Sequence, residues 1–151
     1  MPTKLGVRAI IYDDQGIVMV EHNEGDRGKF LIFPGGGIEE NESIFEAAQR
    51  EAKEETNLDV VANKLVYIRE TKAGDARGIE FYVLCSTIGG KIKLGHDPEK
   101  DRQVLEDVLV LAVDDLNNRQ DWFPEELRDI LPQDMVDKFP TFQYLGTHIF
   151  S

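Results

Sequence analysis

Residues 33–58 read FPGGGIEENESIFEAAQREAKEETNL, and they predict a glycine-rich loop that runs into one helix. Proline removes a backbone donor and the glycines after it permit conformations closed to other residues, so a short strand at residues 30–33 should end there. The helix is expected over about residues 43–56, with Asn57 as its left-handed cap.

Carboxylates crowd onto one side of this predicted helix. At about 100° per residue, Glu51, Glu54 and Glu55 border the apolar stripe, while Lys53 falls on the opposite, solvated face. Like charges repel, and pressing them toward a core adds a desolvation cost. A hard divalent cation compensates for both effects, because it prefers oxygen ligands. A solvated, Glu-rich face is the alternative that the pattern leaves open. The apolar stripe itself comprises Ile44, Phe45, Ala47, Ala48 and Ala52.

The same segment resembles the Nudix box, which is a glycine, five residues, Glu, seven residues and then Arg-Glu-aliphatic-x-Glu-Glu-x-Gly-aliphatic. The positions that match are Gly36, Glu42, Arg50, Glu51, Glu54 and Glu55. Two positions depart from the pattern: Asn57 stands where glycine is usual, and Ala52 is smaller than the usual aliphatic residue. Asn tolerates the left-handed conformation, so the helix can still end there.

The resemblance implies an α/β/α sandwich around a mixed β-sheet. The residues alone indicate the same α+β class. Since no repeat or linker divides the 151 residues, a single domain spanning residues 1–151 is expected. Strands are expected at 6–12 and 17–21, which form a hairpin, and at 60–70, 79–88, 91–94 and 105–113. Helices are expected at 124–131 and 132–139, and residues 141–150 are either a strand or an ordered tail.

The resemblance also assigns roles within the box. Gly36, Glu51, Glu54 and Glu55 would bind Mg²⁺, with Mn²⁺ as an alternative ion. Arg50 would orient these carboxylates, and Glu42 would pair with Arg50. A metal-activated water, with a carboxylate such as Glu54 or Glu55 as base, would attack one phosphorus of a diphosphate.

Residues outside the box are expected to complete the site. The loop at residues 95–107 supplies Glu99 and Glu106 as candidate bases, with Glu80 as a weaker third candidate. His96 lies in that loop and could contact the substrate. Three further expectations concern residues with structural roles: His22 and His148 at the surface or in packing, Trp122 as a core or lid anchor, and Cys85 as a small buried strand residue.

The composition argues against several classes of protein. A net charge of −12, from 17 Lys and Arg against 29 Asp and Glu, disfavours extended nucleic-acid binding. No apolar run approaches the length of a membrane span, and Lys4 and Arg8 interrupt any signal-peptide core, so a cytoplasmic location is expected. A homodimer is compatible with a domain of this size.

The expected function is metal-dependent hydrolysis of a pyrophosphate bond in a small nucleotide-derived substrate. A nucleoside diphosphate linked to another moiety, such as ADP-ribose, and a nucleoside triphosphate present the same diphosphate, so the box does not choose between them. A Nudix-like module that binds a nucleotide with little turnover is the alternative. An isomerase is a second one, because a fold does not fix a function.

Overall fold

The structure is a computed structural model that describes residues 3–93 and 105–150. Within these residues, no helix is both long and apolar enough to cross a membrane. The strands are β1 Thr3–Asp13, β2 Gly16–Asn23, β3 Lys29–Ile32, β4 Gly35–Gly37, β5 Leu58–Ala73, β6 Ala76–Gly90, β7 Leu105–Leu111 and β8 Gln143–Phe150. The α-helices are α1 Ile44–Thr56, α2 Val113–Asn117 and α3 Leu131–Val136.

Strand β1 organises the mixed sheet. It pairs in parallel with β6, and it pairs antiparallel with β4 and with the start of β2. The strand path is β3-β2-β1-β6-β5-β8, with β4 joined to β1 and β7 joined to β2. Strand β8 therefore lies at one end of this path, in parallel with β5, and β3 lies at the other.

Side chains that alternate along β1 build two cores. Val7, Ala9 and Ile11 pack with the buried alanines of α1, whereas Ile10 belongs to a second core on the other face. That second core includes Tyr67, Tyr82, Trp122, Leu127 and Leu131. Successive residues of a strand point to opposite faces, so one strand serves both layers. Helical segments thus cover both faces of the sheet, and the predicted α/β/α sandwich is confirmed.

Helix α1 begins and ends as the sequence predicts. The Ser43 side chain accepts a hydrogen bond from the Glu46 N–H, and the Glu46 carboxylate accepts one from the Ser43 N–H, which is a complete capping box. Asn57 ends the helix with φ 67° and ψ 9°, in the left-handed region. The substitution of asparagine for the usual glycine therefore leaves the helix end intact.

Four local predictions need correction. Residues 91–93 form no strand, and Leu94 lies outside the described residues. In place of a helix at 124–131 there is a 3-10 turn, Glu125–Leu127, and α3 begins at Leu131. The glycines after Pro34 were expected only to end the preceding strand, but they also form β4, which pairs with β1. Phe45 was expected in the apolar stripe but is 38% exposed in the first turn of α1, although Ala52 and Thr56 on the same side of the helix are buried.

Candidate active site

The carboxylates of α1 are unequally buried. Glu51 and Glu55 are 3% and 2% exposed, whereas Glu54 is only half-buried. This arrangement agrees with the helical wheel, on which Glu51 and Glu55 overlap the apolar stripe more than Glu54 does. Two acidic side chains are thus held in the core side of a helix, where a charge is costly without compensation.

Arg50 compensates part of that charge and holds the cluster together. Its Nε and Nη2 donate to the two carboxylate oxygens of Glu42, at 3.0 and 2.7 Å. Its Nη1 donates to Glu51 Oε1 at 3.0 Å and to Glu54 Oε2 at 3.1 Å, and Nη2 also donates to the Gly37 carbonyl at 2.9 Å. The planar fork of a guanidinium suits such a bidentate arrangement.

The ionisation of the Arg50–Glu42 pair follows from these contacts. The hydrogen bond to Glu42 raises the pKa of Arg50, although burial opposes the effect. The same hydrogen bond from Arg50 lowers the pKa of Glu42. Both groups are therefore charged at neutral pH, and Glu42 is the carboxylate most firmly committed to Arg50.

The glycine loop fits closely against this cluster. The Gly35 N–H donates to Glu55 Oε1 at 3.1 Å. A Cβ atom placed on Gly36 would lie 2.5 Å from Glu51 Oε1, and one on Gly35 would lie 2.0 Å from the Val7 carbonyl oxygen. Both distances are shorter than a carbon atom tolerates, so glycine is needed for the loop backbone to approach the carboxylates.

The donor types of the cluster suit a hard divalent cation, since they are carboxylate oxygens beside a backbone carbonyl. Among residues 3–93 and 105–150, no three His, Cys, Asp or Glu side chains converge closely enough to hold one ion. The contacts of Arg50 with Glu51 and Glu54 place a cation of the protein itself among these oxygens. The burial of Glu51 and Glu55 and the oxygen chemistry of the cluster are compatible with a hard divalent cation.

A cavity of about 530 Å³ is lined by Arg8, a residue that interacts electrostatically with Glu55 of the cluster, and by none of the box carboxylates themselves. Its floor carries Arg8 from β1, Glu80 and Tyr82 from β6, and Arg69 from β5, which are neighbouring strands. Its aromatic lining comprises Phe30, Phe33, Phe123, His148 and Phe150 in addition to Tyr82. A pocket of this size, lined by aromatic and charged side chains, can hold a nucleoside-sized ligand.

The charged groups of the floor form one network. Glu80 accepts a hydrogen bond from Arg69 Nη1 at 3.0 Å and one from the Tyr82 hydroxyl at 3.2 Å, and it lies 3.5 Å from Arg8 Nε. Arg69 Nε also donates to Glu126 Oε2 at 2.7 Å. Burial opposes the charge of Arg69, but these hydrogen bonds outweigh it and raise its pKa. The floor thus presents two arginines that remain charged, with two carboxylates as their partners.

The floor and the helix cluster meet at Arg8. This residue pairs with Gly35 in the register of β1 and β4, and the Gly35 N–H binds Glu55. The Arg8 guanidinium donates to the Phe33 carbonyl at 3.0 Å. Burial lowers the pKa of Arg8, while Glu80 and Glu55 raise it, and the net pKa is above its usual value. Arg8 is therefore the residue that connects the cavity to the buried Glu55.

The residues predicted outside the box have different outcomes. Glu99 and His96 lie outside the described residues, and Glu106 lies in β7 with a side chain that the structure does not describe. Glu80 is in the cavity, bound to two arginines. Trp122 is 1% exposed and donates to the Leu116 carbonyl, as expected of a core anchor. His148, expected at the surface or in packing, packs against Phe150 and also lines the cavity.

Two cavity residues were missed by the sequence reasoning, and both carried a signal. Arg8 interrupts the apolar run of β1, and Arg69 interrupts that of β5. A buried arginine within a strand must meet a carboxylate, because an unpaired charge in a core is costly. The carboxylates that meet them, Glu80 and Glu126, are distant in sequence and follow only from the fold.

Comparison with known proteins identifies relatives of this chain. Residues 2–134 match the NUDIX domain. Over 99 residues the chain is 33% identical to an ADP-ribose pyrophosphatase of Methanocaldococcus jannaschii, which covers 64% of this chain and 58% of that protein. Over 88 residues it is 32% identical to an 8-oxo-dGDP phosphatase of Danio rerio, which covers 58% of this chain and 26% of that protein. The chain thus spans about half and about a quarter of the lengths of these two relatives.

The fold has a close counterpart among solved structures. The crystal structure of a NUDIX hydrolase from Nitrosomonas europaea superposes with a TM-score of 0.76 over 99% of this chain and 81% of that chain. The two sequences are 16% identical, so the likeness concerns the fold.

Proposed function

The chain belongs to the NUDIX domain family, and from this premise we propose that it hydrolyses a pyrophosphate bond in a small nucleotide-derived substrate. One observation carries the proposal: the buried carboxylate of Glu55 accepts from the Gly35 N–H, and Gly35 pairs with Arg8, which lines a nucleoside-sized cavity. Buried acids next to a cavity are an arrangement typical of an active site.

The proposed reaction uses a divalent cation, Mg²⁺ or Mn²⁺, which when bound acts as a Lewis acid and makes water a stronger nucleophile. Gly36, Glu51, Glu54 and Glu55 would hold it, as the resemblance implies. Glu42 and Arg50 position the carboxylates, since Arg50 contacts Glu42, Glu51 and Glu54 at once. The Gly35 N–H fixes one oxygen of Glu55. These contacts preorganise the side chains before the substrate arrives.

The proton acceptor is proposed to be Glu99 or Glu106. Carboxylates that bind a cation lose basicity, so a carboxylate beyond them is a better base. Change of the true base to Gln should lower turnover by about 10²-fold to 10⁴-fold and leave metal affinity nearly unchanged. If turnover and metal affinity fall together and added metal restores activity, the residue is a ligand. If neither change costs even about tenfold, the base lies within the box and Glu54 takes the role.

ADP-ribose or a related nucleoside diphosphate derivative is the proposed substrate. The support is the cavity of about 530 Å³ with aromatic walls, together with the 33% identity to a protein described as an ADP-ribose pyrophosphatase. A nucleoside triphosphate is the second candidate, and the 32% identity to a protein described as an 8-oxo-dGDP phosphatase supports a free nucleoside diphosphate beside it. Both carry a diphosphate, and they differ in what the cavity must hold.

A substrate panel tests the proposal. ADP-ribose, the nucleoside triphosphates and dinucleoside polyphosphates are incubated with Mg²⁺, with Mn²⁺ and with chelator. Inorganic phosphate is then measured after pyrophosphatase treatment for the triphosphates and after phosphatase treatment for the substrates without a terminal phosphate. The proposal expects turnover of one class with metal and none with chelator. Tight binding without turnover would favour a nucleotide-sensing module. Full activity in chelator would contradict the metal-dependent mechanism.

A further inference from the structure

Strand β8 lies beyond the residues that match the family and closes one side of the cavity. The family match ends at residue 134, whereas β8 spans Gln143–Phe150. It pairs in parallel with β5 from Tyr67↔Gln143 to Ala73↔Phe150. This pairing places His148 opposite Thr71 and Phe150 opposite Ala73, beyond Arg69 along β5. The wall of the cavity at this end is thus built from a segment beyond the residues of the NUDIX domain match.

Two aromatic rings of β8 face the cavity. His148 and Phe150 both line it, and their ring centroids lie 4.6 Å apart at an interplanar angle of 67°. Phe150 is 48% exposed, a large fraction for an aromatic residue in a cavity wall. Ile149, between them, is 73% exposed and is not part of the lining. Alternation along a strand accounts for this, since residues two apart share a face.

The aromatic residues at the opposite end of the strand path already have ring partners. Phe30 stacks on His22 at 5.7 Å and meets Phe123 edge-on at 5.7 Å. The Arg128 guanidinium lies over the Phe123 ring, 4.9 Å from its centroid. These contacts occupy part of the ring surface of Phe30 and Phe123, and Phe123 is 37% exposed. Phe150 meets His148 in a tilted, edge-type contact and keeps nearly half of its surface accessible.

A flat ring is the ligand group that suits such a wall. Aromatic side chains exposed in a binding groove stack on nucleobases, and stacking accepts any base because each has a π-face. The charged floor of Arg8, Arg69 and Glu80 lies between this wall and the helix cluster at Gly35. A base at β8 would leave the rest of a nucleotide to extend toward the buried carboxylates.

Resting on the proposed function, we propose that His148 and Phe150 of β8 bind the nucleobase of the substrate. The C-terminal strand then sets the affinity for the base, while α1 acts on the diphosphate. The nucleobase end of the substrate is the part recognised by residues outside the family match.

Binding of simple probes tests this assignment without turnover. The four nucleoside 5′-monophosphates and ribose 5-phosphate are titrated calorimetrically into the full chain in the presence of chelator. The tightest monophosphate should bind better than ribose 5-phosphate. Phe150→Ala should weaken that monophosphate about tenfold and leave ribose 5-phosphate unchanged. Phe150→Tyr keeps the ring and should keep the affinity. Ile149→Ala, on the other face of the same strand, should bind like the wild type.

Three outcomes would overturn the assignment. They are an unchanged monophosphate affinity in both Phe150→Ala and His148→Ala, an equal weakening of both probes, and a wild-type protein that binds no monophosphate better than ribose 5-phosphate. The unfolding temperatures of Phe150→Ala and Ile149→Ala are compared first, to show whether weaker binding reflects a less stable fold. Phe150→Tyr, which keeps the ring, separates the two explanations. Failure of the hydrolysis panel would leave these affinities unaffected, so the two proposals fail separately.

Discussion

The helix cluster and the cavity floor both place an arginine among carboxylates, but they are assembled differently. Arg50 bonds to Glu42, Glu51 and Glu54, all within eight residues of it. Arg69 bonds to Glu80 and Glu126, which are 11 and 57 residues away. The residues proposed for the chemistry thus come from one contiguous segment, whereas the residues proposed for substrate recognition are brought together only by the whole fold. We expect substitutions in the cluster to cost turnover and substitutions in the floor to cost stability.

The largest expected effect is on turnover. Glu55→Gln keeps an oxygen that can accept the Gly35 N–H but removes the charge, and Glu51→Gln does the same beside Gly36. Each change should lower kcat by at least about a hundredfold with the protein still folded, because the proposed cation loses an anionic ligand. Steady-state kinetics on the best substrate of the panel measure this.

Lys53→Gln is the matched control for these changes. Lys53 is on the same helix, with an exposed side chain that pairs with Asp59 at 3.0 Å. It should lose little activity. Equal losses at Lys53 and Glu55 would mean that the chemistry does not depend on the buried face of α1.

The second effect is on stability and concerns the floor. Arg69→Leu leaves Glu80 and Glu126 without their shared partner, and Arg69 is itself 8% exposed. Breaking a buried ion pair by removing one partner is strongly destabilising, so the free energy of unfolding should fall by about 3 kcal/mol. Urea unfolding measures it. Arg77→Leu, which removes an exposed partner of Glu70, should change stability little.

The loss of stability at acid pH provides a second test of the Arg69–Glu126 pair. Burial opposes ionisation of Glu126, yet the hydrogen bond from Arg69 outweighs it and holds the pKa of Glu126 below its usual value. A depressed carboxyl pKa stabilises the fold at neutral pH, and this stabilisation is lost as pH falls through the usual carboxyl range and below. Arg69→Leu should therefore show a shallower loss of stability from pH 6 to acid than the wild type. A slope unchanged by the substitution would argue against this role of the pair.

A smaller effect is expected from Arg50→Lys. The ammonium keeps the charge but cannot span Glu42, Glu51 and Glu54 as the fork of Arg50 does. Loss of a group that orients metal ligands costs activity by about 10-fold to 100-fold, so kcat should fall by that much, with metal affinity lowered in parallel. Full activity of Arg50→Lys, compared with Arg77→Lys as a neutral control, would show that charge alone suffices.

The smallest effect is expected at Cys85. Burial raises the pKa of its thiol to about 12, so the thiolate that reacts with alkylating reagents is scarce at pH 8. The native protein should stay unlabelled by a thiol reagent while the denatured protein labels fully, and Cys85→Ala should retain activity within about twofold. Rapid labelling of the native protein with loss of activity would place the cysteine in the working site.

Local patterns account for what the sequence predicted correctly. The capping box at Ser43 and Glu46 and the left-handed Asn57 set the ends of α1, and alternation located most of the strands. The predictions failed most where pairing between distant strands overrides the local preference of the sequence. Gly35–Gly37 has the composition of a loop, yet it becomes β4 because β1 supplies a partner at Gly6, Val7 and Arg8. The pairing of β8 with β5 is likewise set by residues about 76 positions apart.

The site divides along the same line. Glu51 and Glu55 were predictable because one helix brings them to a common side. The cavity was not, since Arg8, Arg69, Glu80 and His148 come from four strands whose order the sequence does not state. No local pattern in the sequence predicts the position of His148, because it lines the same cavity as Arg69 only through the pairing of β8 with β5.

The most direct test of the central claim is the affinity of Glu55→Gln for the best substrate of the panel, measured calorimetrically in chelator beside the wild type. If the helix cluster performs the chemistry and the cavity performs the binding, the two dissociation constants should agree within about threefold although kcat differs by at least about a hundredfold. A dissociation constant that rises in proportion to the lost turnover would contradict the account, because Glu55 would then be part of the binding surface.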